Sequence, residues 1–531
     1  MRTPQSDLAP ESDPPVRLRR HPPARRRRAA SAWRCLWLSG MALLWVARCA
    51  CAASAEGVDL VIVDSESDAE FGAAGTLFAD GHSATRIVVD LADGGALEAA
   101  LREHAPHDVV FVVAPQRLDL DLTHRVLESS TRMDADPFPD FRHGFVTGLD
   151  GAAARRFAQA SLAARSATRG RRLGVLAVGE AGTGTPPALG AELAHACDLS
   201  LTFRGLPGST AAERRRREAL EQLAPSDLLL LFSHGEPDRM LGAFRGAELR
   251  SWALDLEGRV VVNCACFNGS PSAGLVATDH GIEFARRPYD SSVALALLDT
   301  GVAAYVAGMD AWHGPLAVRV TLELADGGAT LGDATRAPVD RLVLTQLDRP
   351  LRFPAQDDIA ARFGTDAIAI ARGNAAGSVL FGDPSFAPFS AGAPRSYTAT
   401  LRGEPSHRSV RIALAPLAGA TAGYESMLLL PRLLGYFEPL QTPLTTIPLE
   451  LYRVVDWPPD EPRPGAWRVV AATSGEHELA CGTVFTAYEE TPRGPRLHVV
   501  VPLAPRAGIE GMAVRSWLAR DGADVTLAPV P

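Results

Sequence analysis

Between Gly57 and Phe389 the chain repeats one pattern: a short unbroken apolar run, then a segment with apolar residues at helical spacing. Val58 to Val63, Arg86 to Val89, Asp108 to Val113, Leu173 to Val178, Leu199 to Phe203, Leu228 to Phe232, Val260 to Val262 and Val302 to Val306 read as strands. Gly95 to His104, Ala152 to Ala164 and Ala211 to Leu223 read as helices between them. A strand apolar at every position has no face to give to water, so both sides of its sheet must be covered. The pattern therefore predicts an α/β fold, a mostly parallel sheet covered by helices on both faces. In "TAAERRRREALEQLA", Thr210 and Glu213 have the spacing of a capping box, and Glu213 and Arg217 that of a helical ion pair. The arginines there read as a solvated helix face rather than a binding patch.

The texture changes at both ends. After Phe389, "SAGAPRSY" reads as a linker, followed by apolar runs (Val410 to Ala413, Trp467 to Ala472, Leu497 to Leu503) between proline-rich turns. Residues 396–531 are thus expected to form a small all-β domain, a sandwich, behind an α/β domain at 57–390. Residues 1–55 hold ten arginines against three acids, then the apolar stretch Leu36 to Ala47 and a small-residue site at Ala53-Ser54-Ala55. That order describes a signal peptide and export to a periplasmic, cell-surface or extracellular location. A membrane enters only if the segment is retained, and Arg48 beside Cys49 spoils a lipoprotein signal. The whole chain carries −9, and loss of the arginine-rich segment makes it more acidic, which argues against nucleic acid. Four cysteines lie beyond residue 55 (Cys197, Cys264, Cys266, Cys481), too few for a disulfide scaffold.

The chemistry concentrates where two apolar runs end. Leu228 to Phe232 runs into Ser233-His234-Gly235, and Val260 to Val262 into Cys264-Ala265-Cys266-Phe267-Asn268-Gly269. In a parallel sheet function collects at the carboxyl ends of strands. If these two strands are neighbours, an imidazole and a thiol share one crevice, and the imidazole activates the thiol. Cys264 and Cys266, two apart, would face the same way in an extended strand. Cys264 reads as core, and Cys266, beside the glycine loop, as the nucleophile. Glycines next to both residues would let backbone approach a substrate, with the Gly235 and Cys266 N–H groups as oxyanion donors. His280 and His313 also precede glycine, but neither closes an apolar strand.

"LLLLFSHG" followed by "VVVNCACFNG" resembles the gingipain family of cysteine peptidases, relatives of the caspases and legumains. Ala265-Cys266-Phe267-Asn268-Gly269 is similar to the family's Ala-Cys-x-Asn-Gly pattern. "DPFPDFRHGFVTGLDGAAARRF", "SSVALALLDTGVAAYVAGMDAW" and "GSVLFGDPSFAPF" are similar to other segments of that family, although Phe145 stands in a usual arginine place. The resemblance spans about residues 57–390. It implies a caspase-like fold, a Cys266–His234 dyad, a protein or peptide substrate, and an immunoglobulin-like β domain to follow. It also implies that a carboxylate orients the histidine, and Glu180 sits where that group is expected. Family members carry structural calcium, but no acidic cluster shows a readable ligand spacing, and Asp134, Asp136 and Asp140 read as turn and capping residues. No other cofactor is expected. The long pro-region of known members has no counterpart ahead of the first strand. The rival readings are an inactive caspase-like surface protein acting as a binding module, and another thiol enzyme such as an acyltransferase.

Overall fold

The computed structural model describes residues 57–167, 169–178, 194, 199–207, 211–278, 281–310, 314–345, 351–358, 376–389, 397–402, 410–416, 450–457, 467–492, 494–502 and 521–529. Its strands, in chain order, are β1 (Leu60–Asp64), β2 (Thr85–Val89), β3 (Asp108–Val112), β4 (Arg142–Val146), β5 (Arg172–Val178), β6 (Ser200–Leu206), β7 (Leu228–Phe232), β8 (Gly235–Glu236), β9 (Arg239–Met240), β10 (Phe244–Arg245), β11 (Val260–Asn263), β12 (Ala273–Thr278), β13 (Gly281–Arg286), β14 (Ala304–Gly308) and β15 (Ser378–Phe381). They are followed by β16 (Tyr397–Arg402), β17 (Val410–Pro416), β18 (Glu450–Asp456), β19 (Trp467–Ser474), β20 (His477–Glu478), β21 (Phe485–Glu489), β22 (Arg496–Pro502) and β23 (Ala523–Pro529).

Ten of these strands form one sheet in the order β2-β1-β3-β4-β15-β14-β11-β7-β5-β6. The strands from β2 to β15 run parallel to one another, and so do those from β14 to β6. The two halves meet at one antiparallel pair, β14 with β15. This is the mostly parallel α/β sheet predicted from the apolar runs, with a reversal that the runs do not encode. One consequence is that the strands of the two halves end at opposite edges.

Strand β7 shows why the faces must be covered. Leu228, Leu230 and Phe232 belong to one buried cluster with Ala317, Val320 and Leu324 of the helix Gly314–Asp326. Leu229 and Leu231 belong to another, with Leu220 and Leu223 of the helix Glu213–Leu223 and Leu249 of the helix Gly246–Trp252. Alternate residues point to opposite faces, so a strand apolar at every position needs helices on both sides. Each such side chain removed from water contributes about 1.5–3 kcal/mol.

The helix at Glu213–Leu223 departs from its sequence reading. Its N-cap is Ala212, without a side-chain cap bond, and Thr210 lies outside the described residues. Glu213 accepts a hydrogen bond from the Trp252 indole at 2.9 Å, so it is not the partner of Arg217, which pairs with Glu221 at 2.7 Å. Packing against the neighbouring helix takes the acid that local spacing assigned to the ion pair.

In the C-terminal part, the described strands form a five-stranded sheet, β16-β17-β23-β19-β20, and a three-stranded sheet, β18-β22-β21, both antiparallel. Leu451, Leu497 and Val499 from one and Ala472, Val525 and Leu527 from the other share a buried cluster, as the two faces of a sandwich would. The linker expected at 390–396 lies outside the described residues.

A buried polar network joins these sheets to the α/β part. Arg336, on the helix Leu331–Thr345, bonds Asp340 at 2.9 Å and Glu489 at 2.5 Å. Glu489 in turn meets His498 at 2.6 Å, and the His498 ring stacks on Phe138. Burial pushes the Glu489 carboxyl up, but Arg336 and His498 outweigh it and hold it at about 2. Its contribution to stability is complete above the unfolded value and is lost as the pH falls toward 2. Arg336→Leu should cost about 3–5 kcal/mol in urea unfolding, because it strands buried carboxylates, and adding Glu489→Leu should restore much of it.

Asp134, Asp136 and Asp140 do behave as turn residues: their carboxylates accept from the N–H groups of Asp136, Phe138 and Met133. Asp136 also accepts from Glu490 N–H at 2.6 Å. Burial raises Asp136 to about 7, and burial with Asp134 nearby raises Asp140 to about 8. An unfolded aspartate gives up its proton near 3.9. The folded chain keeps protons the unfolded chain has lost, so stability should fall as the pH rises from about 4 to about 8. Asp140→Asn should flatten that decline, seen as a smaller drop in Tm between pH 5 and pH 8.

Candidate active site

Strands β7 and β11 are neighbours and parallel, with Leu231 opposite Asn263, and Cys264 N–H donates to the Leu231 carbonyl at 2.7 Å. His234 and Cys266 each lie three residues beyond that last pair, at the same edge of the sheet. The condition set by the sequence, that the two strands be adjacent, is met.

Beyond β7 the chain does not enter a loose loop. It folds into a small ribbon in which Gly235 pairs with Met240 and Glu236 with Arg239, and Met240 is buried. His234 stands exposed at the start of that ribbon. Its carbonyl accepts the Leu241 N–H at 2.9 Å.

Beyond β11 the chain turns at once. Residues 265–269 form a tight turn in which Phe267 adopts a left-handed φ of 58°. A bulky residue in that region is strained, at a cost of order 1–3 kcal/mol. Hydrogen bonds hold the turn against the exit of β14: Phe267 N–H to the Asp310 carbonyl at 3.1 Å, and Gly269 N–H to the Gly308 carbonyl at 2.7 Å. Because β11 ends at Asn263, the two cysteines do not share an extended strand, and the expectation that they face the same way fails. Cys264 is buried in the core, whereas Cys266 is half-exposed in the turn. Burial, with Cys266 close by, pushes the Cys264 thiol well up, which keeps it protonated and unreactive.

The two loops are fastened to each other by residues that carry no reaction. Asn263, fully buried, donates to Asn268 Oδ1 at 3.1 Å and to the Tyr305 hydroxyl at 2.9 Å, and accepts from Ala265 N–H at 2.8 Å. Tyr305 donates to the Asn268 carbonyl at 3.1 Å. The Asn268 amide donates to the carbonyls of Glu236 and Arg239, the latter at 3.0 Å. Asn268 thus ties the cysteine turn to the histidine ribbon, and both asparagine side chains use donors and acceptor. Burial also pushes the Tyr305 hydroxyl up, so it stays a donor. Sequence reasoning assigned no role to Asn263, Asn268 or Tyr305. The available signal was a polar residue closing the apolar run "VVVN".

The glycines also make this contact between the loops possible. A Cβ at Gly235 would come within 2.7 Å of the Ala265 Cβ and the Cys266 carbonyl, and 2.8 Å of the Asn268 amide. One at Gly269 would come within 2.7 Å of Val379. Their absence of side chain lets the protein's own loops close on each other. Glu180, His280 and His313 lie outside the described residues, as does residues 1–55 with the proposed signal peptide. Among the described residues no helix is long and apolar enough to cross a membrane.

The turn carboxylates Asp134, Asp136 and Asp140 are engaged by backbone N–H groups, as above. At the cluster Asp59, His107 and Asp108, Asp59 accepts the N–H groups of both neighbours, and Asp108 holds Arg142 through two bonds.

No protein-family profile and no curated protein matches the chain. Among solved structures it is similar to the Arg-specific cysteine proteinase gingipain R, at 12% identity and a TM-score of 0.42, covering 68% of this chain and 84% of that one. It is also similar to a complex of gingipain pro- and mature domains from Porphyromonas gingivalis, at 11% identity and 0.41, covering 67% and 86%. A third, titled a protease, gives 11% and 0.41, covering 84% and 91%. Likenesses at that level carry no argument about family or activity.

Gly235→Ala should press the ribbon off the cysteine turn at a cost of about 1–3 kcal/mol. The expected result is slower alkylation of Cys266 with an unchanged far-UV circular dichroism spectrum.

Proposed function

We propose that the protein is an exported cysteine endopeptidase, with Cys266 as nucleophile and His234 as general base and acid. The observation that carries this reading is the contact between the two loops: Gly235 lies against the Cys266 carbonyl at the shared end of paired strands. The imidazole removes the Cys266 proton, and the sulfur attacks the peptide carbonyl. The Gly235 and Cys266 N–H groups stabilise the resulting oxyanion. The carbon–nitrogen bond then breaks as His234 hands its proton to the leaving amine, leaving a thioester on Cys266. Water, deprotonated by His234, attacks the thioester and releases the acid, restoring the thiol and the imidazole. Glu180 orients the imidazole from the nitrogen that faces away from the sulfur.

In this reading residues 57–390 carry the catalysis, residues 396–531 form a β domain behind it, and residues 1–55 direct export. The substrate is a protein or peptide, nucleic acid has no part, and no cofactor takes part in the steps.

A thiol-directed peptidase probe tests the proposal. It should label Cys266, and Cys266→Ala should abolish labelling and peptide hydrolysis while the urea midpoint stays at the wild-type value. If Cys264→Ala alone abolishes labelling in a folded protein, the assignment of the nucleophile is wrong.

A further inference from the structure

We propose that Leu241 selects the first residue on the leaving-group side of the scissile bond, and that it selects an aliphatic one. This rests on the peptidase reading above. The small ribbon pairs Glu236 with Arg239 and Gly235 with Met240, and its strands end there, one residue short of His234 and Leu241. Just beyond them, the Leu241 N–H bonds the His234 carbonyl at 2.9 Å. Leu241 is therefore the hydrogen-bonded backbone neighbour of the imidazole-bearing residue.

Its position is fixed from both sides. Besides the bond from its N–H, its carbonyl accepts the Ser233 hydroxyl at 2.6 Å. Yet the residue remains 40% exposed. A lone exposed leucine means little by itself. Here the placement gives it meaning. The other large apolar side chains that are equally open among the described residues, Val88, Val454 and Val470, sit on β2, β18 and β19, away from this ribbon.

The chemistry then says which part of the substrate it meets. The acyl half of the substrate stays on Cys266, whereas the departing nitrogen must lie within reach of the imidazole that protonates it. The residue carrying that nitrogen consequently lies on the His234 side, against Leu241. Two residues along the ribbon, Glu236 is paired with Arg239 at 2.7 Å and with Arg287 at 3.3 Å. Asp238 is also paired with Arg287, at 3.3 Å. These charges balance one another, which leaves the apolar contact to discriminate.

The test is digestion of an unfolded protein mixture by the full chain, with mass-spectrometric sequencing of the new amino termini. Cleavage is expressed per Cys266 titrated with iodoacetamide, so that losses of reactive thiol are separated from changes of preference. Wild type should yield new termini enriched in Leu, Ile and Val. Leu241→Arg should shift the first position toward Asp and Glu, with the aliphatic-to-acidic ratio falling about tenfold or more, the scale on which apolar pockets discriminate. Leu241→Ala, a milder change at an exposed position, should flatten the preference. An unchanged profile in Leu241→Arg, or a wild-type profile without aliphatic enrichment, overturns the proposal and leaves the peptidase reading standing. No new termini from wild type, with no probe on Cys266, overturns both.

Discussion

Parallel pairing of β7 with β11, with Leu231 opposite Asn263, is the constraint from which the edge of this sheet follows. Two strands that end flush deliver the residues three positions further on to the same place. A slip of the register would separate His234 and Cys266 along the strand direction, by about 3.3 Å for each residue. The register is not free to slip, because the leucines and valines of both strands are buried on both faces between helices. Packing of the core and placement of the site are the same fact seen from two ends.

What the strands bring near, polar bonds and missing side chains bring together. Asn263, Asn268 and Tyr305 form a buried network that reaches from β11 and β14 to the carbonyls of the histidine ribbon. Buried polar groups are worth keeping only when each is satisfied, and in this network each asparagine is. Such a network offsets the left-handed backbone at Phe267, directly after Cys266. Glycine at 235 then allows the ribbon to rest on the Cys266 carbonyl without a Cβ in between. The turn is held by groups other than the imidazole and the thiol.

Much of this was legible in the sequence because apolar periodicity is a local signal. The runs at Leu228–Phe232 and Val260–Val262 name two buried strands, and the residues that follow them place an imidazole and a thiol at one edge of the sheet. Strands β4 and β15 were not read from periodicity, since "RHGFV" carries charged and glycine positions and "SVLF" is only four residues long. Both owe their state to tertiary pairing at the junction of the two half-sheets. The reversal between β14 and β15 is likewise a long-range choice that no short stretch records. The capping reading at Thr210 and Glu213 failed for a similar reason: the Trp252 indole claims Glu213. The closeness of the two loops at Gly235 and Gly269 was not legible, because a glycine pattern reports closeness of backbone without saying to what.

The central claim is that His234 and Cys266 act as one chemical unit. The most direct measurement is the rate of Cys266 alkylation by iodoacetamide as a function of pH, in wild type and in His234→Ala, each in a Cys264→Ala background. If the imidazole activates the thiol, the wild-type profile should have a midpoint well below the free-cysteine value of about 8.5, and His234→Ala should move it back toward that value. Identical profiles in the two proteins, both centred near the free-thiol value, would contradict the account.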